Sequence, residues 1–135
     1  MSDEIDVYEI VGGKRFFETL VDRFYDSVAG DPTLLRLYPS PEDLEPARHK
    51  LALFLAQYWG GPDDYSRERG QPALRMRHGP FAIGPAERDA WLGHMSAALA
   101  SMKLPIEVER ALLDYFAMAA EALRNRNDET PEHRP

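Results

Sequence analysis

Apolar residues recur along much of this chain at spacings of three and four, the period of a helix with one buried face. Phe17, Leu20, Phe24 and Val28 form the first such run, preceded by Val7 to Ile10 and Gly12-Gly13 and ended by Gly30-Asp31-Pro32. A short helical or turn region follows through Leu34, Leu35, Leu37 and Tyr38. Pro39 closes it, because proline disfavours helical geometry in the residue before it. Ser40 reads as the cap of a second long helix, with Pro41 at its first position and Glu42 and Asp43 favourable to the dipole. That helix carries Leu44, Ala47, Leu51, Phe54, Leu55, Tyr58 and Trp59 on one face until Gly60-Gly61-Pro62 stops it. Gly84-Pro85 with Glu87 opens a third, marked by Trp91, Met95, Ala98 and Met102, and Pro105 opens a fourth, marked by Leu112, Phe116, Ala119 and Leu123. No alternating strand pattern and no internal repeat interrupts these, so the class is all-α.

Between Pro62 and Gly84 the apolar period lapses, and prolines, glycines and the arginines at 67, 69, 75 and 77 take its place. The segment reads as loop with one turn of helix near Leu74 to His78. Structureless segments of that length in compact domains usually serve a function, so a ligand is expected against it. At 135 residues the chain is long enough for one domain that buries about two-thirds of its unfolded surface. A folded core over about 8–124 is expected, with flexible termini at 1–7 and 125–135, the second a polar tail.

Composition narrows the chemistry. The absence of cysteine removes disulfides, thiolate catalysis, zinc-thiolate sites and iron-sulfur clusters. A net charge of -7 is a poor match for a dedicated nucleic-acid binder. No apolar run is long enough to cross a bilayer, and the acidic start Met1-Ser2-Asp3-Glu4 lacks the features of a secretory signal. No nucleic acid, no membrane insertion and a cytoplasmic location are the expectations.

Four histidines remain as candidate ligands. His133 falls in the polar tail, His49 lies between Arg48 and Lys50 in a charged neighbourhood, and His94 on a helix flank suits a structural role. His78 differs. It ends the cationic stretch Arg75-Met76-Arg77 and is followed by Gly79-Pro80-Phe81. No second histidine or carboxylate at helical spacing completes a zinc site with it, so a cofactor that brings its own four equatorial nitrogens, haem, is the economical partner. A surface histidine in a basic loop is the competing reading.

Several strings then act together: Tyr8 to Gly13, Arg23-Phe24-Tyr25, Leu37-Tyr38-Pro39, Phe54 to Pro62, Leu74-Arg75-Met76-Arg77-His78-Gly79-Pro80-Phe81, and Glu87 to Leu92. Their order and spacing, from about Tyr8 to Leu123, resemble the second group of truncated haemoglobins, the bacterial "O" type. The resemblance implies a globin-like, truncated two-over-two helical sandwich around haem b. It implies His78 as the ligand of the iron, neutral, with its other ring nitrogen donating to a carbonyl or similar acceptor. On the opposite face it implies Tyr25, Tyr38 and Trp91, whose donors on aromatic bodies face a bound gas. Tyr25 and Trp91 also lie on apolar stripes, where an aromatic is ordinarily core. Ala47 and Leu51 match the positions that control entry, with the small alanine leaving a side opening, and Phe54 and Leu55 wall the cavity. For the haem propionates the matching or nearby groups are Lys50, Arg77, Arg75 and Tyr65. Phe81 completes the cofactor-binding set.

The function implied is tight binding of oxygen and related diatomics, nitric oxide and carbon monoxide among them, with slow release that suits oxygen transport poorly. An enzymatic version has bound oxygen convert nitric oxide to nitrate, or the haem turn over peroxide. Either requires an electron donor or reductase as partner, and a homodimer is left open. The rivals are a cofactor-free helical interaction domain, in which Arg67 to Arg77 docks an acidic partner, and a nucleic-acid-binding helical module, which the net charge disfavours.

Overall fold

The computed structural model describes residues 7–125 except Pro72, Pro80 and Phe81, and leaves the side chains of Arg75 and Met76 undescribed. Among the described residues every regular element is a helix: α1 (Val7–Val11), α2 (Lys14–Val28), α3 (Pro32–Leu35), α4 (Glu45–Tyr58), α5 (Asp64–Arg69), α6 (Leu74–His78), α7 (Pro85–Ser101) and α8 (Ile106–Leu123). None is long and apolar enough to cross a membrane. The α2 helix packs on both α4 and α7, and α7 packs on α8, which gives the expected two-over-two sandwich.

The predicted stripe of α2 is the centre of the core. Phe17, Leu20, Phe24 and Val28 are wholly buried, and Leu112 and Phe116 of α8 and Met95 and Leu99 of α7 meet the same cluster. Fully burying side chains of this size contributes about 1.5–3 kcal/mol each. Polar ties lock the layers. Arg48 of α4 reaches Asp22 and Asp26 of α2 at 3.2 and 3.1 Å. Arg23 of α2 donates to the Ser101 carbonyl at 3.1 Å, and Arg88 of α7 pairs with Glu121 of α8.

The chain turns from α1 into α2 through Gly12 and Gly13, whose φ values of 104° and 78° lie in the left-handed region that suits glycine. This corner is held to the end of α4, because the Tyr8 amide donates to the Trp59 carbonyl at 3.2 Å and the Tyr8 ring covers Gly61. Val7 is therefore 2% exposed and part of the core, not of a flexible terminus. At the other end Asn125 also departs from expectation. Its amide donates to the Ile83 carbonyl at 2.8 Å and its side-chain oxygen accepts from the Ile83 amide at 2.9 Å, so it belongs to the fold. Stretches 1–6 and 126–135, and His133 with them, lie outside the described residues.

One helix boundary and one whole element differ from the sequence reading. The second long helix starts at Glu45, not after a Ser40 cap. Pro46 explains this: in a helix begun at Pro41 it would sit in the interior, losing a hydrogen bond and clashing with the preceding turn, whereas in the first turn its missing N–H costs nothing. The Asp43 side chain accepts from the Glu45 amide at 3.1 Å and so marks the true start. Within the segment expected to be loop, α6 is the predicted turn near Leu74 to His78, but α5 is an additional helix. It is polar throughout except for buried Tyr65 and is held by local bonds, Arg67 to Asp63 at 2.8 Å and the Ser66 amide to Gln57 at 2.9 Å.

His94 takes the structural role expected of it. Its Nε2 lies 2.7 Å from Asp31, which caps α3 by accepting from the Thr33 amide at 2.9 Å. The His94 contact holds the Asp31 carboxyl below the usual carboxylate range. His49 is exposed, 2.9 Å from Glu68.

Candidate functional site

Between the two layers the side chains do not close, and a cavity of about 530 Å³ remains, with walls contributed by α2 to α8. Most of its lining is apolar, including Leu34, Leu37, Leu51, Phe54, Ile83 and Phe116. Pockets of this size and character are where globular proteins hold cofactors and small ligands. Every described member of the expected set lines it: Tyr25, Tyr38, Ala47, Lys50, Leu51, Phe54, Tyr65, Arg77, His78 and Trp91. The Arg75 side chain and Phe81 lie outside the described residues.

His78 is the last residue of α6. Its Nδ1 is 2.8 Å from the Leu74 carbonyl one turn earlier. A carbonyl only accepts, so Nδ1 carries the proton in the neutral ring and Nε2 carries the lone pair that a metal requires. The Asn125 side chain donates to the His78 carbonyl at 3.3 Å while also binding Ile83, and thus ties the end of α6 to the segment that leads into α7.

Three aromatic donors line the same space. Tyr25, in the last turns of α2, is 4% exposed and packs edge-on against Phe24 with ring centroids 4.8 Å apart. The Tyr38 hydroxyl donates to the Tyr25 oxygen over 3.4 Å, longer than an ordinary O–H···O bond. Burial pushes the Tyr25 phenol well above its ordinary value, and that of Tyr38 upward as well, so both keep their protons. Arg48 stands over the Tyr25 ring, 5.8 Å from its centroid. Trp91 sits between Phe24 and Phe116 at centroid distances of 5.1 and 5.7 Å.

Cations gather on the α4, α5 and α6 walls: Lys50, Arg69 and Arg77. Arg77, the guanidinium expected to meet a propionate, donates through Nη2 to the carbonyls of Arg69 and Gln71 at 2.7 and 3.0 Å, and so holds the turn after α5. Arg69, which the sequence reading did not single out, has a buried Nε with no hydrogen-bond partner. Arg69 also lines the cavity, which places its guanidinium group near any anionic part of a ligand held there. Tyr65 is buried edge-on against Phe54, with centroids 5.5 Å apart.

Residues 6–125 match the family described as bacterial-like globin. The chain belongs to that family. This globin is 38% identical over 121 residues to the group 2 truncated hemoglobin YjbI of Bacillus subtilis, a match covering 90% of this chain and 89% of the relative. Its fold superposes on the thermostable hemoglobin of the actinobacterium Thermobifida fusca with a TM-score of 0.86 at 52% identity, over 90% of this chain and 98% of the other. The truncated oxygen-avid haemoglobin from Bacillus subtilis gives 0.82 at 39% identity, over 88% and 98%. The group II resemblance read from the sequence is thereby established.

The cofactor of this globin is haem b with its iron, and gas binding comes with the family. The cofactor-free interaction domain gives way to that finding. The cavity suits the group: its walls are mostly apolar, the His78 tautomer leaves a lone pair on Nε2, and the orphaned Arg69 Nε suits a carboxylate.

Proposed function

We propose that this globin holds haem b in the cavity through His78 Nε2 and binds oxygen tightly with hydrogen bonds from Tyr25, Tyr38 and Trp91. One observation carries the reading: a histidine whose Nδ1 is committed to the Leu74 carbonyl shares a single cavity with three aromatic donors. Bound haem would supply the gas-binding centre, where the ligand would carry partial negative charge. Tyr25, protonated and buried among aromatic rings, is the principal donor to that charge. A hydrogen bond to a charged group contributes about 1.5–3 kcal/mol, so one such donor slows ligand loss about ten- to a hundred-fold. Tyr38 adds to this by orienting the Tyr25 hydroxyl, and Trp91 by its indole N–H. The relative described as oxygen-avid supports tight binding here.

Lys50 and Arg69 hold the propionates, Arg77 sets the turn that presents Arg69, and Tyr65 backs Phe54. Ala47, beside Leu51, leaves a side entrance for the gas. An electron donor that keeps the iron ferrous is the implied partner. Adding haemin to the purified protein and recording ferric, dithionite-reduced and carbon-monoxide spectra tests the reading. A Soret band that moves at each step is the expected result, and failure to take up one haem per chain contradicts it.

A further inference from the structure

The short helix α3 supplies part of the cavity wall, yet burial anchors little of it. A single turn of this kind is not stable alone, and of its four residues Leu34 is the buried one. Leu34 lines the cavity together with Leu37 and Tyr38, which follow it. Backbone bonds make this stretch one unit. The Leu34 and Leu35 amides donate to the Asp31 carbonyl at 3.1 and 2.8 Å, the Leu37 amide to that of Leu34 at 2.8 Å, and the Tyr38 amide to that of Leu35 at 3.1 Å. A displacement at Asp31 is therefore carried to Tyr38.

The Asp31 carboxylate fixes the near end of the unit. Oδ1 accepts from the Thr33 amide at 2.9 Å and caps α3, while Oδ2 lies 2.7 Å from Nε2 of His94 on α7. Capping needs one oxygen alone; the second fastens α3 to α7. The bond from His94 holds the Asp31 carboxyl below the usual range, so the carboxylate accepts and His94 Nε2 donates, in the neutral ring as in the charged one. The two side chains are 25% and 22% exposed, which leaves the tie less open to water than an ion pair on the free surface. Arg36, just past α3, pairs with Glu87 in the first turn of the same helix. His94 follows Trp91 by three residues, one turn of α7, so the tie refers the Tyr38 unit to the helix that carries the indole.

We propose that Asp31 and His94 are positioning residues for the gas ligand: their contact sets where the Tyr38 hydroxyl stands relative to Tyr25 and Trp91, and through it how firmly the ligand is held. The inference rests on the role proposed above for Tyr38 beside the ligand. Neither Asp31 nor His94 lines the cavity, so both act through what α3 and α7 carry. The Tyr38 hydroxyl lies 3.4 Å from that of Tyr25, at the limit of a hydrogen bond, so a small shift of α3 decides whether the two bond.

The test uses the haem-loaded, reduced protein and reads the infrared C–O stretch of its carbon-monoxide complex and the rate of oxygen dissociation. His94→Leu removes the tie and leaves the Asp31 cap; His94→Gln puts an amide N–H where Nε2 stands. Asp31→Ser keeps a capping oxygen that is too short to reach His94, and so breaks the tie from the other side. In His94→Leu and Asp31→Ser the C–O band is expected to shift and oxygen to leave about two- to ten-fold faster, the range for one hydrogen bond. His94→Gln is expected to restore both readouts, and in a Tyr38→Phe background His94→Leu is expected to change nothing further. An unshifted band in the variants without the tie, a shift that His94→Gln does not restore, or an effect of His94→Leu undiminished in Tyr38→Phe overturns the inference. If Tyr38→Phe alone leaves both readouts at the parent values, the role of Tyr38 beside the ligand fails first, and the positioning role falls with it.

Discussion

The hydroxyl of Tyr38 points at that of Tyr25 across 3.4 Å, with the two rings edge to face and their centroids 5.6 Å apart. That separation is longer than an ordinary O–H···O bond, so the contact does not hold the Tyr25 proton. In the proposed site that proton meets the gas. Tyr25→Phe is expected to speed oxygen dissociation about ten- to a hundred-fold, the range for a hydrogen bond to a charged group, and Tyr38→Phe to do so less. Stopped-flow displacement of oxygen by carbon monoxide measures both. An unchanged rate in Tyr25→Phe removes Tyr25 from the ligand's surroundings.

Alkaline pH acts on the same buried phenols. Burial raises Tyr25 well above the ordinary phenol value and pushes Tyr115 up to about 12, so the fold favours their neutral forms. This stabilisation is present in full below the unfolded value near 10 and is lost as pH rises through the folded values. Between them each phenol adds a slope of about 1.4 kcal/mol per pH unit. Denaturant unfolding from pH 9 to pH 12 is expected to show falling stability, with a shallower fall in Tyr25→Phe; equal slopes contradict the assignment.

Arg69 offers a sharper test of the cofactor's seat than the cations predicted from sequence. Its Nε is buried and unpaired, whereas the Arg77 guanidinium is engaged by two carbonyls of the turn beside it. Arg69→Gln is expected to hasten haem loss to an acceptor apomyoglobin, and haem dimethyl ester, which lacks the carboxylates, to abolish the difference between variant and parent. A difference that persists with the ester rules out a propionate contact.

A stability prediction follows from the corner between α1 and α4. A Cβ on Gly61 would stand 2.4 Å from the Tyr8 ring and 2.8 Å from the Ala56 carbonyl oxygen, and the second cannot move without disturbing α4. Gly61→Ala is expected to cost about 1–3 kcal/mol, the range for overpacking a filled site. A thermal melt lowered by several degrees is the expected readout, and an unchanged midpoint shows that the corner yields freely.

Where burial follows a helical period, the sequence was sufficient to read the fold. Phe17, Leu20, Phe24 and Val28 announce α2, and all four are wholly buried. The α5 helix could not be read this way, because Asp63, Arg67, Gln57 and Ser66 hold it through polar bonds that leave no apolar stripe. The start of α4 was legible in Pro46 but was drawn instead to the capping chemistry of Ser40-Pro41. As for the site, periodicity alone left Tyr25 and Trp91 as ordinary core. Only the family resemblance distinguished them, and both line the cavity that His78 also lines. Asn125 was hidden by its polar neighbours, since its bonds to Ile83 and His78 span 42 and 47 residues of sequence.

The most direct test of the account is the carbon-monoxide spectrum of the reduced, haem-loaded protein as His78→Gly, recorded without and with added imidazole. If His78 is the iron ligand, the variant holds haem poorly and its spectrum is abnormal, and imidazole restores both retention and the parent band. A variant that keeps the parent spectrum without imidazole contradicts the central claim and assigns the iron to another residue.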